Sequence, residues 1–183
     1  MIKTFDDLGS VTWAKKPIEV LASAGILRGV SDAEFAPQAE ISRADFLYYL
    51  VRTLGLRASF EENFKDVDSS AYYCKEIGIA KELGITDGTG DNNFSPNASI
   101  TRQDMMVLAE KALRLSGKLE VQGTASDLDE FADKHLIASY AVDSIAALVK
   151  EELVKGSDNK INPLDITTRA EAAVLLYRIY TEY

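Results

Sequence analysis

The chain has 183 residues, enough to bury a core, and its 46% hydrophobic and 27% charged content excludes a disordered polymer. A net charge of −9 with a pI near 4.7 excludes general attraction to nucleic acid or anionic membrane, while leaving room for a local basic pocket. The single cysteine, Cys74, and single histidine, His135, exclude an internal disulfide and a Cys/His zinc cluster; His135 has no nucleophile or orienting group nearby and reads as a surface residue.

Residues 1–10 carry no basic segment followed by an apolar run, so no signal peptide is expected, and no apolar run reaches the length of a membrane span. From Phe5 the chain predicts a first helix over residues 12–23, with Trp13, Pro17, Ile18 and Leu21 at helical spacing and Pro17 tolerated near the first turn. A loop containing Gly29 and Pro37 follows, and then Ser42-Arg43-Ala44-Asp45, which places a hydroxyl at a helix cap and a carboxylate three residues later. Behind it Phe46, Tyr49 and Leu50 form one apolar stripe.

The same order returns twice. From Phe64 come a helix over 70–83, Gly88, Pro96, Thr101-Arg102-Gln103-Asp104 and the stripe Met105, Leu108, Ala109. After a polar linker, 116–130, Phe131 opens a helix over 139–151, then Gly156, Pro163, Thr168-Arg169-Ala170-Glu171 and Ala172, Leu175, Leu176. The step from opening Phe to Arg is 38 residues in all three copies. The chain therefore divides into repeats at 1–59, 60–118 and 119–183, each a helix-loop-helix. A short helix with one apolar stripe cannot bury it alone, so the copies must pack on each other. The expected fold is all-α, with three copies closing around a pseudo-threefold axis rather than stacking as an open solenoid.

The pattern Phe5-Asp6-Asp7, Trp13-Ala14, Gly25-Ile26, Gly29, Phe35-Ala36-Pro37 and Ile41-Ser42-Arg43-Ala44-Asp45, with its matching sets in the other copies, resembles the S-layer homology domain over nearly the whole chain. The resemblance implies a three-pronged helical spindle with a central bundle and grooves between the prongs. It implies a module that attaches S-layer proteins and extracellular enzymes to a secondary cell wall polymer, often one carrying pyruvylated N-acetylmannosamine. It further implies an extracellular, cell-surface location as a fragment of a larger exported protein, with no cofactor, metal or catalytic group.

A ketal-linked pyruvate puts a carboxylate on a sugar. Arg43, Arg102 and Arg169 stand at the first position of their helices, where an anion is expected to meet a guanidinium fork, unsatisfied helix N–H groups and the positive end of the dipole. A structural pairing of each Arg with a neighbouring carboxylate competes with that role. Gly29, Gly88 and Gly156 permit close approach of a ligand, or else cap the helix before them. Ser31, Thr89 and Ser157 offer hydroxyls to sugar or turn. Trp13, Tyr72 and Tyr140 offer flat faces to a sugar ring, although an aromatic on an amphipathic helix ordinarily belongs to the core. The copies differ before the glycine, with Arg28, Asp87 and Lys155 respectively, so a groove using the Asp87 loop is expected to hold an anion more weakly.

The rival reading is a structural module for protein–protein contact or self-assembly, with the arginines as packing partners. The acidic loop from Asp87 to Asn93 does not match a calcium-loop spacing and reads as a turn. The 29 acids single out no pair for glycoside hydrolysis.

Overall fold

The computed structural model describes residues 2–183. Among them run α1 (Thr12–Ser23), α2 (Arg43–Thr53), α3 (Cys74–Glu82), α4 (Arg102–Leu115), α5 (Val142–Lys150) and α6 (Arg169–Glu182), linked by short 3-10 turns and isolated bridges with no sheet. The expected two helices per repeat are present. Two first helices are shorter than their apolar spacing suggests. Asp68 binds the N–H and hydroxyl of Ser70 and holds the approach to α3 in turns, and Ser139–Ala141 forms a 3-10 turn ahead of α5.

The second helices begin where their caps dictate. Ser42, Thr101 and Thr168 each accept the backbone N–H of Asp45, Asp104 or Glu171 through the side chain. The carboxylates of Asp45, Asp104 and Glu171 reach into other repeats, and Glu171 alone also accepts the hydroxyl of its own cap, Thr168, at 3.2 Å.

Helix pairing is exchanged around the ring. α3 packs on α2, α5 on α4, and α1 on α6, so every first helix lies against the second helix of the preceding repeat. α2 also touches α4 and α6, and the apolar stripes, including Phe46, Leu50, Met105, Ala109, Ala172 and Leu176, are buried between them. The loops before α2, α4 and α6 pair in the same cyclic sense, Ser42 with Ser99, Thr101 with Ile166 and Thr168 with Glu40. Contact between the third repeat and the first closes the ring.

The opening Phe-x-Asp has a mechanical role. Asp7, Asp66 and Asp133 each accept two backbone N–H groups, from Phe35 and Ala36, Phe94 and Ser95, or Ile161 and Asn162, at 2.7–3.2 Å. The second residue of each pair sits in the left-handed region, at φ 57°, 58° and 53°, and the carboxylate holds it there. The recurring glycines are not helix caps. Helices α1 and α3 are closed by Gly25 and Gly84, four residues earlier, and α5 by Glu152. Gly88 instead lies against the opening Phe, where a Cβ would sit 2.6 Å from the Phe64 ring and 2.2 Å from the Asn93 carbonyl. Gly29 and Gly156 press on Phe5 and Phe131 in the same way.

Pro17 is the sixth residue of α1, in its second turn, so the Trp13 carbonyl has no N–H four residues on. The linkers are packed as well. The Phe60 ring lies over Gly78 of α3, and Gly123 lies against Ala146 and Ala147 of α5.

Candidate ligand-binding grooves

Three corresponding junctions lie where one repeat's second helix meets the next repeat's loop, and each draws on all three repeats. Arg43 lies against Phe94 of the second repeat's loop, near Asp104 and its partner Tyr140, and that loop carries Asp87, Gly88 and Thr89 at the corresponding positions. Arg102 faces Lys155-Gly156-Ser157, Glu171 and Trp13. Arg169 faces Arg28-Gly29 and Ser31 in its loop, Asp45 and Tyr72.

The helix starts are not open to an anion, contrary to expectation. The N–H groups of Arg43 and Ala44 bind the carbonyls of Ala98 and Pro96 at 2.8 and 3.0 Å; those of Arg102 and Gln103 bind Asp165 and Pro163, and those of Arg169 and Ala170 bind Ala39 and Pro37. With the third N–H taken by the cap, neighbouring backbone has consumed the donors that a ligand would use.

The arginines are graded in how far they are committed. Each gives its Nε to a carbonyl of the next repeat, namely Phe94, Ile161 or Phe35. Arg43 adds no further hydrogen bond among the described residues; its guanidinium lies 4.9 Å from the Phe94 ring, and burial lowers its pKa against the pull of Asp104 and Asp66. Arg102 adds an ion pair with Glu171. Arg169 adds Asp45 at 3.4 Å and the Arg28 carbonyl at 2.7 Å, and is itself only 7% exposed.

The three aromatics are surface residues rather than core: Trp13, Tyr72 and Tyr140 are 57%, 57% and 61% exposed. Tyr72 donates its hydroxyl to Asp45, and Tyr140 donates to Asp104 at 2.6 Å. At the equivalent place Trp13 has no phenol, and Glu171 pairs with Arg102. Ser31 accepts the N–H groups of Ala33 and Glu34 and so braces its turn; the Thr89 hydroxyl bonds Ser95, and Ser157 is exposed beside its glycine.

The clefts differ in filling. At the fifth and sixth positions after the helix-starting arginine, α2 has Tyr48 and Tyr49, both buried, whereas α6 has Val174 and Leu175. Tyr48 packs edge-on against Tyr72 at 5.4 Å with Arg28 5.9 Å from its ring, and Tyr49 is buried enough that its phenol pKa is raised. These rings fill the Arg169 groove. In the Arg102 groove the smaller side chains leave about 580 Å³, lined by Trp13, Arg102, Lys155, Gly156, Glu171 and a floor that includes Met105, Met106, Val154 and Val174. Ligand sites commonly fall between about 300 and 1,000 Å³. Met105 belongs to the apolar stripe read from the sequence, whereas Val174 lies beyond the recurring motif; aligning the copies at Tyr48, Val107 and Val174 carries the signal.

The S-layer homology domain model matches residues 4–47, 63–106 and 130–173. An amylopullulanase of Thermoanaerobacterium thermosulfurigenes is 34% identical over 177 residues, which is 96% of this chain and 9% of that protein. Exoglucanase XynX of Acetivibrio thermocellus is 35% identical over 178 residues, 95% of this chain and 16% of that enzyme. The surface-layer 125 kDa protein of Lysinibacillus sphaericus is 31% identical over 170 residues, 91% and 14%. The chain thus spans less than a fifth of the length of these relatives.

Proposed function

Because the chain belongs to the S-layer homology domain family, we propose that it is a non-catalytic anchoring module that holds an anionic, pyruvylated cell wall polysaccharide at the cell surface. The relatives with enzyme names share only this segment with it, so any catalytic domain stands elsewhere. The three repeats, 1–59, 60–118 and 119–183, act as one module, because every groove uses all of them.

One observation carries this reading. The Arg102 groove joins three cations, Arg102, Lys155 and Arg178, against the carboxylates of Glu171 and Asp165, to an apolar floor and the exposed face of Trp13. A sugar carboxylate suits the cations, and the ring and its methyl groups suit the floor and the indole. The Arg169 groove is filled by tyrosines, and the Arg43 groove carries Asp87 where the others carry a cation; both are weaker sites. Arg43, with its guanidinium least committed, is the residue through which the Asp87-lined groove retains some affinity.

Bonds from the arginines to neighbouring repeats favour the self-assembly reading to the extent that they explain these residues without a ligand. Sedimentation with purified cell walls, before and after removal of pyruvyl groups, tests the proposal. Binding is expected to be lost with the pyruvyl groups. Undiminished binding contradicts the role of the cations, and ordered assemblies that ignore the wall polymer favour the rival.

A further inference from the structure

The prongs are unequally held. α3 has Glu76 in its first turn and Lys81 in its last, and α5 has Asp143 and Lys150, so both complement the helix dipole. α1 has neither an acid in its first turn nor a base in its last, and Pro17 interrupts its hydrogen bonding. α3 and α5 are also strapped from outside. Lys81 donates to the Asn63 carbonyl and Phe60 lies over Gly78; Lys150 reaches the Gln122 carbonyl and Asp127, and Gly123 lies on Ala146. Where α3 and α5 offer Gly78 and Ala146 to a strap, α1 has the bulky Glu19. Its outer face, with Thr12, Lys15, Lys16 and Val20, forms an open cleft. α1 packs on α6 and on the 3-10 turn before it, and Lys3 donates its N–H to the Ser23 hydroxyl at its last residue, but no linker crosses its middle.

Trp13 rides on this helix and forms a wall of the Arg102 groove, whose remaining walls come from α4, α6 and the third repeat's loop. We infer that α1 is a yielding side wall of the Arg102 groove, which peels from α6 and is held shut when a ligand stacks on Trp13. The inference rests on the carbohydrate-binding reading above, and it makes the stability of one prong and the occupancy of one groove the same equilibrium.

Amide hydrogen exchange on the whole chain tests it, with the methyl glycoside of pyruvylated N-acetylmannosamine as probe. In the free protein, amides of α1 beyond Pro17 should exchange at least about tenfold faster than those in the middle of α3 and α5. At a probe concentration 100 times its Kd, exchange in α1 should slow by up to about a hundredfold, with little change in α3. Trp13→Ala should weaken binding and abolish the slowing. Equal protection of the three first helices in the free protein overturns the inference, as does binding that leaves α1 exchange unaltered. A probe that does not bind overturns the ligand reading instead, and the free-protein comparison still decides whether the wall yields.

Discussion

The junction between repeats 1 and 2 and the junction between repeats 3 and 1 use one motif under different constraints. Residues 54–63 connect the first pair, and there Arg43 gives one hydrogen bond, to the Phe94 carbonyl. No chain segment connects repeat 3 directly to repeat 1, and there Arg169 is buried and bonds the Phe35 carbonyl, the Arg28 carbonyl and Asp45. A short connection keeps two surfaces at high effective concentration, so their contact requires little extra attraction. The unconnected junction lacks that help. The same arginine is therefore a fastener where the ring closes and is least committed where the chain already joins the repeats.

The largest effect expected from this difference is on stability. Arg169→Ala removes one partner from a buried pair and leaves Asp45 and two carbonyls short of a donor, a loss of about 3–5 kcal/mol. Arg43→Ala should cost only about 1 kcal/mol. Urea unfolding of the two variants measures both, and equal losses would break the comparison. A second test transfers the filling of one groove to another. Val174→Tyr places in the open groove the residue that Tyr48 supplies in the filled one, and should lower affinity for the pyruvylated probe at least tenfold, about 1.4 kcal/mol. Calorimetry reads this change, and an unaltered Kd would mean that the open volume is not the binding site.

The smallest effect concerns acid. Burial pushes the Asp66 pKa up, but the N–H groups of Phe94 and Ser95 pull it further down, so the net shift is downward. A carboxylate depressed in the folded state contributes its stability above its unfolded pKa, near 3.9, and loses it as pH falls through the lower folded value. Asp66→Asn should accordingly leave a shallower fall of stability below about pH 4. Because Asp66 is exposed, the change is small, and unfolding midpoints measured between pH 2 and 5 that superimpose for both proteins would remove Asp66 from the acid response.

Much of the architecture could be read before the structure. Recurrence of Ser42, Thr101 and Thr168 ahead of their stripes placed the starts of α2, α4 and α6, because a cap acts through its own local chain. Trp13, Tyr72 and Tyr140 were harder. Their spacing fits an apolar stripe, but whether a side chain at the edge of a stripe is covered depends on a neighbouring helix that sequence spacing does not locate. The recurring glycines misled for a related reason: their partner, the opening Phe, lies 24 or 25 residues away.

The sequence by itself determined that there are three copies, that each is two helices, and where the second helix begins, since caps, stripes and turn residues act over a few positions. Only the tertiary structure decided what the arginines do. A helix start becomes an anion site only if its N–H groups remain free, and here the carbonyls of Ala98, Asp165 and Ala39 from other repeats take them. Likewise, Val174 against Tyr48 is one conservative-looking difference in a stripe until ring closure sets each beside an aromatic of another repeat. There the difference in volume separates an open groove from a filled one.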